Sequence, residues 1–390
     1  MEHNGISKLD VKRRNRVQIL KYIRYSGPQS RIDISDKLKL TRAAVTIITT
    51  DMINQGIIYE TGEDTNPNKK STRGRRKISL DICRNYKLVF GVSIESERLI
   101  IGLTNLFGET LDKLTMPLGE VTYIQLLEII TDKIESLVKT NYLSDSKILG
   151  IGVCVSEGGC KHIEEKNNVS KIIKIRKDLS HAFSVPVVSG RTIDGAALAQ
   201  FTFDNDISDT EKYSITIRYG SEIDSTVSIG NVLFAGATGN SCGMKRLQNA
   251  SQSNSSFNLA KLEVMKAYSQ ENTPYLYEST GGDITQLDSV MPDYDMYKKD
   301  FIIKNILDSL NAKLAGDFHM IETIMDCEEM YVFGNYLDCQ SNIEQINENI
   351  GTMYGSKFRI KHSLVTSETL FLCGCAFAVQ EFFVNKGGAD

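Results

Sequence analysis

The sequence lacks an apolar segment long enough to cross a membrane. Its longest apolar run, Leu370–Val379, has about half the length that a membrane-spanning helix needs. The N-terminus also shows no leader in which charged residues precede an apolar stretch. We therefore expect a cytoplasmic protein with no membrane partner.

The cysteines include no Cys-x-x-Cys pair. Eight are scattered along the chain, at Cys83, Cys154, Cys160, Cys242, Cys327, Cys339, Cys373 and Cys375. Such spacing argues against a disulfide framework and against a zinc site. It favours reduced and mostly buried thiols, as is usual for a chain kept in a reducing compartment.

The excess of basic residues is confined to the N-terminal fifth of the chain. Residues 1–80 carry 17 Lys or Arg against 8 Asp or Glu, whereas the rest of the chain carries 28 against 41. A basic module on an acidic body is expected when only that module meets phosphate.

The total of 390 residues is enough for two or three folding units.

Residues 13–77 have the pattern of a winged helix-turn-helix. Apolar residues recur at helical spacing before Gly27-Pro28, which ends the first predicted helix. Ser30-Arg31-Ile32-Asp33 has the form of a capping box, so a second helix is predicted from Ser30 to about Leu38. Thr41 can cap a third helix.

The third helix is predicted to carry the recognition surface. Val45, Ile48 and Met52 would face inward, which leaves the residues of its N-terminal outer face free to enter a major groove. Two strands, Ile57–Tyr59 and Lys77–Leu80, would then frame a wing with a basic rim. The residues predicted to bind DNA are Arg31, Thr41, Arg42, Ala43, Thr46, Ile47, Arg73, Arg75 and Arg76.

A basic run alone is as well explained by a solvated surface as by a binding site. Here the run Arg73-Gly74-Arg75-Arg76-Lys77 follows a capped three-helix unit at the spacing that a wing requires. The combination favours contact with DNA phosphates or with a narrow minor groove.

The body begins with a strand pattern at Lys87–Ile94, followed by a second strand at Leu99–Thr104 and a helix at Tyr123–Thr140. A buried strand follows at Leu149–Val155. This order resembles the opening of the actin-like ATPase fold. Together with the winged helix-turn-helix pattern of residues 13–77, it resembles the ROK family of repressors and kinases.

Four motifs carry that resemblance, which extends from about Arg13 to Phe383. They are the junction Gly74–Leu80, the inter-lobe helix start Gly190–Gln200, the hairpin Ile229–Gly236 and the strand Tyr331–Tyr336. The resemblance implies an α/β fold with a winged helix-turn-helix at 1–80 and a two-lobed actin-like (sugar kinase-like) body. Lobe 1 would span 81–196, and lobe 2 would span 197–390, with a C-terminal helix returning to lobe 1.

The chain departs from the family pattern where kinases hold phosphate. The first phosphate loop, Asp-x-Gly-Gly-Thr in family kinases, corresponds to Ser93–Glu97 and gains two carboxylates. The second, a Gly-Thr-Gly-Ile-Gly run in the family, corresponds to Tyr219–Ser225 and gains acids as well.

Thr192 stands where the family has its catalytic Asp, and a threonine cannot act as a base near pH 7. Asp194 is a poor substitute because its side chain would turn away from the site. We predict no catalytic residue.

The segments that bind sugar and zinc in the family also have different residues in this sequence. The family's Gly-Glu-x-Gly-His segment corresponds to Cys242–Arg246, so Gly243 replaces its Glu and Arg246 replaces its His. The family's cysteine-rich zinc loop is replaced by the polar stretch Gln248–Ser256. We therefore predict no metal and no cofactor. Arg191, Thr192 and Arg246 are the candidate effector-binding residues.

The sequence thus predicts a transcriptional regulator, a repressor of carbohydrate-related genes, that binds a palindromic double-stranded operator as a homodimer or higher oligomer. The effector that its resemblance implies is a sugar or a sugar phosphate. A sugar kinase of the same fold is the alternative function. A third possibility is a body that serves only as a dimerisation scaffold and binds no effector.

Overall fold

A computed structural model describes residues 8–63, 77–204, 212–220, 222–230, 232–234, 256–286, 295 and 298–388. The strands of these residues form one three-stranded sheet and two five-stranded sheets. Helices cover the faces of both larger sheets, as the α/β prediction requires. The predicted fold class is confirmed.

The N-terminal unit contains three helices and a small sheet. Its elements are α1 (Lys8–Ser26), β1 (Gln29–Ser30), α2 (Arg31–Leu38), α3 (Arg42–Asn54), β2 (Ile58–Glu63) and β3 (Ile78–Ile82). Ser30 caps α2 by accepting a hydrogen bond from the Asp33 amide, and Thr41 caps α3 through the amide of Ala44. Both predicted helix starts are confirmed. The chain turns between these helices at Lys39, whose φ of 56° is left-handed.

The two strands of the predicted wing pair antiparallel. Ile58 lies opposite Ile82, and Glu63 lies opposite Ile78, with a bulge between Glu60 and Gly62. The basic rim that the sequence predicts (Lys69, Lys70, Arg73, Arg75 and Arg76) lies outside the described residues. The contribution of that rim to DNA binding stays a prediction.

Lobe 1 is built on a sheet with the strand order β6-β5-β4-β7-β8. These strands and their helices are β4 (Leu88–Ile94), β5 (Arg98–Asn105), β6 (Thr110–Pro117), α4 (Tyr123–Thr140), β7 (Ile148–Val155), α5 (Asn168–Ala182) and β8 (Val187–Arg191). Helices α4 and α5 cover one face, where Phe90, Val92 and Ile94 are buried. The opposite face of β4 and β7 presents glycines to a helix from the C-terminal end of the chain.

Lobe 2 has a mixed sheet with the strand order β11-β10-β9-β12-β13. Its strands are β9 (Tyr213–Arg218), β10 (Asp224–Ile229), β11 (Val232–Phe234), β12 (Glu329–Phe333) and β13 (Lys361–His362). One face is covered by α7 (Ser256–Ala267), α8 (Pro274–Ser279), α9 (Phe301–Met325) and α10 (Gln340–Tyr354). The other face contacts α6 (Thr192–Phe203), which joins the lobes.

The C-terminal segment returns to lobe 1. Helix α11 (Phe371–Ala378) packs on β4, β7 and α6 and continues into one π-helical segment, Val379–Val384. Its residues share a single buried core with α1, α3 and the sheet of the N-terminal unit. The division into three units at residues 80 and 196 remains a prediction, and residue 196 lies inside α6.

The described part of the chain contains no helix that is both long and apolar enough to cross a membrane.

Candidate DNA interface and inter-lobe cleft

The recognition surface predicted on α3 is exposed. Arg42, Ala43, Thr46 and Ile47 all face solvent, and Ile47 keeps 58% of its surface accessible. The residues of α3 that the sequence predicts to face inward, Val45, Ile48 and Met52, are buried. An isoleucine this exposed on a short helix is available for an apolar contact such as a thymine methyl.

Hydrogen bonds within α3 distinguish the roles of its polar residues. The Thr46 hydroxyl donates to the Arg42 carbonyl oxygen at 2.8 Å, and the Thr41 hydroxyl accepts from the Ala44 amide at 3.2 Å. Within the described part of the chain, the Arg42 guanidinium has no hydrogen-bond or ion-pair partner. Arg42 is therefore the polar side chain of this surface that is most available for a ligand.

Arg31 has a structural role that the sequence did not reveal. Its Nε donates to the Thr49 hydroxyl at 3.1 Å, and its Nη1 contacts the Glu60 carboxylate at 3.0 Å. The guanidinium thus joins α2, α3 and β2. Because two of its donors are occupied by the protein, only the remaining N–H groups are available to a phosphate.

A cleft of about 760 Å³ opens between the two lobes. Lobe 1 contributes the turn after β4 and the segments before and within α5, and lobe 2 contributes the ends of β9 and β12 and the start of α7. Its charged lining residues are Glu95, Glu97, Arg98, Glu157, Lys161, Lys171, Arg218 and Glu222. Among the residues that the structure describes, the cleft lining carries four carboxylates and four cations.

A buried ion-pair triad connects the lobes at the base of this cleft. Arg218 at the end of β9 contacts Glu95 at 2.8 Å and Glu222 at 3.0 Å. The Ser156 hydroxyl, in lobe 1, donates to Glu222 at 3.1 Å. Arg218, Glu95 and Glu222 are all largely buried. This triad occupies the place where the family resemblance would locate the two phosphate loops.

The charges of the triad stabilise one another. Burial by itself lowers the pKa of Arg218, but the carboxylates of Glu95 and Glu222 raise that pKa above its ordinary value. Burial raises the pKa of Glu222, and Arg218 opposes this rise. Of the two carboxylates gained in the first phosphate-loop segment, Glu95 forms an ion pair with Arg218, whereas Glu97 is exposed to solvent. The sequence did not identify Arg218 as a site residue.

The residue at the family's catalytic-base position is buried beside the triad. The Thr192 hydroxyl donates to Glu95 at 3.3 Å, and only 2% of the residue is exposed. Asp194 accepts from the Arg191 guanidinium at 2.8 and 2.7 Å and from the Thr226 hydroxyl at 2.8 Å. Asp194 is therefore bonded to side chains of lobe 1 and lobe 2, and its inability to replace a catalytic base stays a prediction.

The candidate effector residues are only partly brought together. Arg191 and Thr192 are adjacent to the triad, but their polar groups are bonded to protein carboxylates. Asp224 lies 4.0 Å from Arg191, and burial raises the pKa of this aspartate to about 6. Arg246 lies outside the described residues, as does most of the segment that replaces the family's zinc loop.

Of the cysteines that the structure describes, all are free thiols, and Cys154, Cys160, Cys327, Cys373 and Cys375 are buried. Cys373 and Cys375 lie in α11, where they pack against lobe 1. Within the described ranges, no three His, Cys, Asp or Glu side chains are grouped as metal ligands would be.

Comparisons with known proteins give relatives among sugar-gene repressors, although no family model matches the chain. The xylose repressor of Caldicellulosiruptor bescii is 28% identical over 242 residues, which cover 59% of this chain and 57% of that protein. The regulator NagC of Escherichia coli is 28% identical over 199 residues, covering 50% and 47%. The chain thus matches about half the length of these curated relatives.

Solved structures extend the similarity to the whole fold. A ROK family transcriptional regulator, described as a homologue of the E. coli MLC protein, matches with a TM-score of 0.70 and 17% identity over 97% of each chain. A ROK family glucokinase from Streptomyces griseus, solved with glucose and AMPPNP, matches 74% of this chain with a TM-score of 0.54 and 14% identity. These findings confirm the resemblance predicted from the sequence.

Proposed function

From this ROK-family resemblance, we propose that the chain is a sequence-specific DNA-binding repressor of carbohydrate-related genes. It would bind a palindromic operator as a homodimer, with one recognition helix in each half-site. The observation that carries the proposal is the exposed N-terminal face of α3, where Arg42 and Ile47 project from a capped helix-turn-helix unit. The similarity to a xylose repressor and to NagC supports the carbohydrate connection.

Arg42 is expected to read a base pair in each half-site. Arg42→Ala should weaken binding to the selected operator by about 1–3 kcal/mol per contacted half-site, because a bidentate contact to guanine is lost. The operator is first obtained by selection from random duplexes. Affinities for this operator and for single-base variants are then measured by fluorescence anisotropy.

The matched control is Arg176→Ala, which removes an exposed arginine from α5 of the body. It should leave affinity and base preference unchanged. If Arg42→Ala retains the wild-type base preference at every operator position, Arg42 is not a recognition residue.

The kinase alternative is less well supported than the repressor, although ROK kinases share the fold. The position of the family's catalytic base carries Thr192, whose hydroxyl is bonded to Glu95. The Arg218 triad, with its two carboxylates, lies in the segments that the resemblance aligns with the two phosphate loops, which supports this view. We therefore propose a body without sugar kinase activity.

This absence of catalysis is testable with purified protein. ATP-dependent phosphorylation of a panel of hexoses and amino sugars should stay at the background rate, because neither a base nor a glycine-rich phosphate loop is available. The assay couples ADP release to NADH oxidation, and a ROK glucokinase serves as positive control. Turnover on the order of 1–1000 per second with any sugar would restore the kinase alternative.

The inter-lobe cleft is the proposed effector site, and a sugar or sugar phosphate is the proposed ligand class. Thr192 is bonded to Glu95, which lines the cleft, and Arg191 and Arg246 remain candidates from the sequence. A thermal-shift screen of both ligand classes separates a sensor from a pure dimerisation scaffold. A ligand that binds only the folded state must raise its apparent stability.

A further inference from the structure

Helix α6 is bonded at one end to Glu95, which lines the inter-lobe cleft, and at the other end to the DNA-binding unit. At its N-terminal end, Thr192 is bonded to Glu95 of the buried triad, and Asp194 is bonded to Arg191 and Thr226. These contacts come from both lobes. A movement of one lobe relative to the other therefore displaces residues that are bonded to the first turn of α6.

The C-terminal end of α6 is bonded to α1 of the DNA-binding unit. Arg24 donates from Nη2 to the Thr202 carbonyl oxygen at 3.0 Å and to the Leu106 carbonyl oxygen at 2.7 Å. Gln380 donates from Nε2 to the Thr202 hydroxyl and to the Tyr25 hydroxyl, both at 2.9 Å. The rings of Tyr25 and Phe201 are 4.7 Å apart.

Between these ends, α6 is held as a rigid element. Its 12 residues span about 18 Å, and all but one of them are buried. A Cβ added at Gly195 would lie 2.6 Å from the Cys373 side chain, so α6 and α11 are in close contact. A displacement at the N-terminal end of such a helix must move its C-terminal end too, because a close-packed interior deforms little.

Arg24 makes the contact with α6 sensitive to geometry. It is largely buried, and its Nε and Nη1 have no hydrogen-bond partner within the described part of the chain. Burial lowers the pKa of Arg24 to about 10. Its charge is met by two carbonyl oxygens and by the Phe107 ring, 4.6 Å away. A cation held this way loses much of its stabilisation when α6 shifts.

We propose that α6 transmits the state of the inter-lobe cleft to the DNA-binding unit through Arg24, Tyr25 and Gln380. The transmitted change is a displacement of the Thr202 end of α6, which repositions α1 and with it the helix-turn-helix. This inference rests on the proposed function, since its biological output is a change in operator affinity. It does not depend on which ligand the cleft binds.

A double-mutant cycle tests the coupling without an effector. Arg218→Met perturbs the cleft, and Gln380→Leu removes the contacts to Thr202 and Tyr25. Arg218→Met alone should change operator affinity by about five-fold or more. In the Gln380→Leu background, the same change should fall below about two-fold. Equal effects in both backgrounds would overturn the proposal.

Tyr22→Phe supplies the matched control background. Tyr22 lies on the same helix as Tyr25, but its hydroxyl bonds to Gln29 within the DNA-binding unit. The effect of Arg218→Met should persist at full size in this background and should be lost with Tyr25→Phe. If Arg218→Met does not fold, Thr192→Val replaces it, because that variant removes only the hydroxyl that contacts Glu95.

Hydrogen exchange makes the test independent of DNA binding. Cleft variants should change the exchange rate of α1 amides near Tyr25 by about five-fold or more when Gln380 is present, and much less when it is leucine. Unchanged α1 exchange would contradict the coupling even if the protein binds its operator. A clear change in a protein that binds no DNA would instead support the coupling and reject the proposed function.

Discussion

Replacing Gly152 by alanine is expected to abolish stable folding of the body. A Cβ at this position would lie 1.8 Å from the carbonyl oxygen of Gly374 in α11, and backbone atoms cannot move aside as a flexible side chain could. A Cβ added at Gly91 would likewise lie 2.0 Å from the Phe371 carbonyl oxygen. Because the contact is between backbones, the loss should exceed the usual overpacking cost of about 1–3 kcal/mol.

The measurement is soluble yield together with urea unfolding followed by circular dichroism. Gly119→Ala is the matched control, because no atom of the residues that the structure describes lies within 4 Å of its added Cβ and its φ is not positive. This control should unfold at the wild-type urea concentration. A Gly152→Ala protein with a wild-type midpoint would mean that α11 does not pack on β7 as described.

The second large effect is expected from the wing. Arg75→Ala/Arg76→Ala should reduce the magnitude of the log–log salt dependence of operator binding by roughly 3–4 for a dimer. Each lost phosphate contact lowers the magnitude of that slope by about 0.9, and two contacts are removed from each of the two DNA-binding units. The measurement is operator affinity across a salt series for the variant and the wild type.

A pair of lysines on the body provides the control for charge alone. Lys139→Ala/Lys147→Ala removes the same number of positive charges from exposed positions in lobe 1. Its salt slope should equal that of the wild type. If the wing variant also keeps the wild-type slope, the basic run is a solvated surface and not a phosphate contact.

Local chemistry explains why the N-terminal unit could be predicted so closely. Ser30 and Thr41 cap their helices through amides only three residues away, and such bonds are encoded by short sequence patterns. Helix α4 was predicted as Tyr123–Thr140, and its strong apolar periodicity gives the same bounds in the structure. Where the residues that stabilise an element are near one another in sequence, the local sequence pattern is sufficient to predict the bounds of that element.

Long-range partners explain what the sequence did not predict. The family resemblance implies that the segments after β4 and β9 belong to one site, but neither residue type nor spacing indicates that Arg218 pairs there with Glu95 and Glu222. The same holds for Arg16, whose Nε donates at 2.6 Å to the Gly387 carbonyl oxygen, 371 positions away. For Arg31, the sequence predicts the position but not the partner. An arginine at this position can bond to phosphate or to the protein, and here it bonds to Thr49 and Glu60.

Sequence-specific recognition of DNA underlies the proposed function, and it can be measured by competition between two duplexes. The wild-type protein is bound to its selected palindrome and challenged, at one fixed salt concentration, with the palindrome or with a shuffled duplex of equal composition. We predict that the shuffled duplex must be at least about 1,000-fold more concentrated to displace half of the operator. Equal potency of the two competitors would contradict the claim.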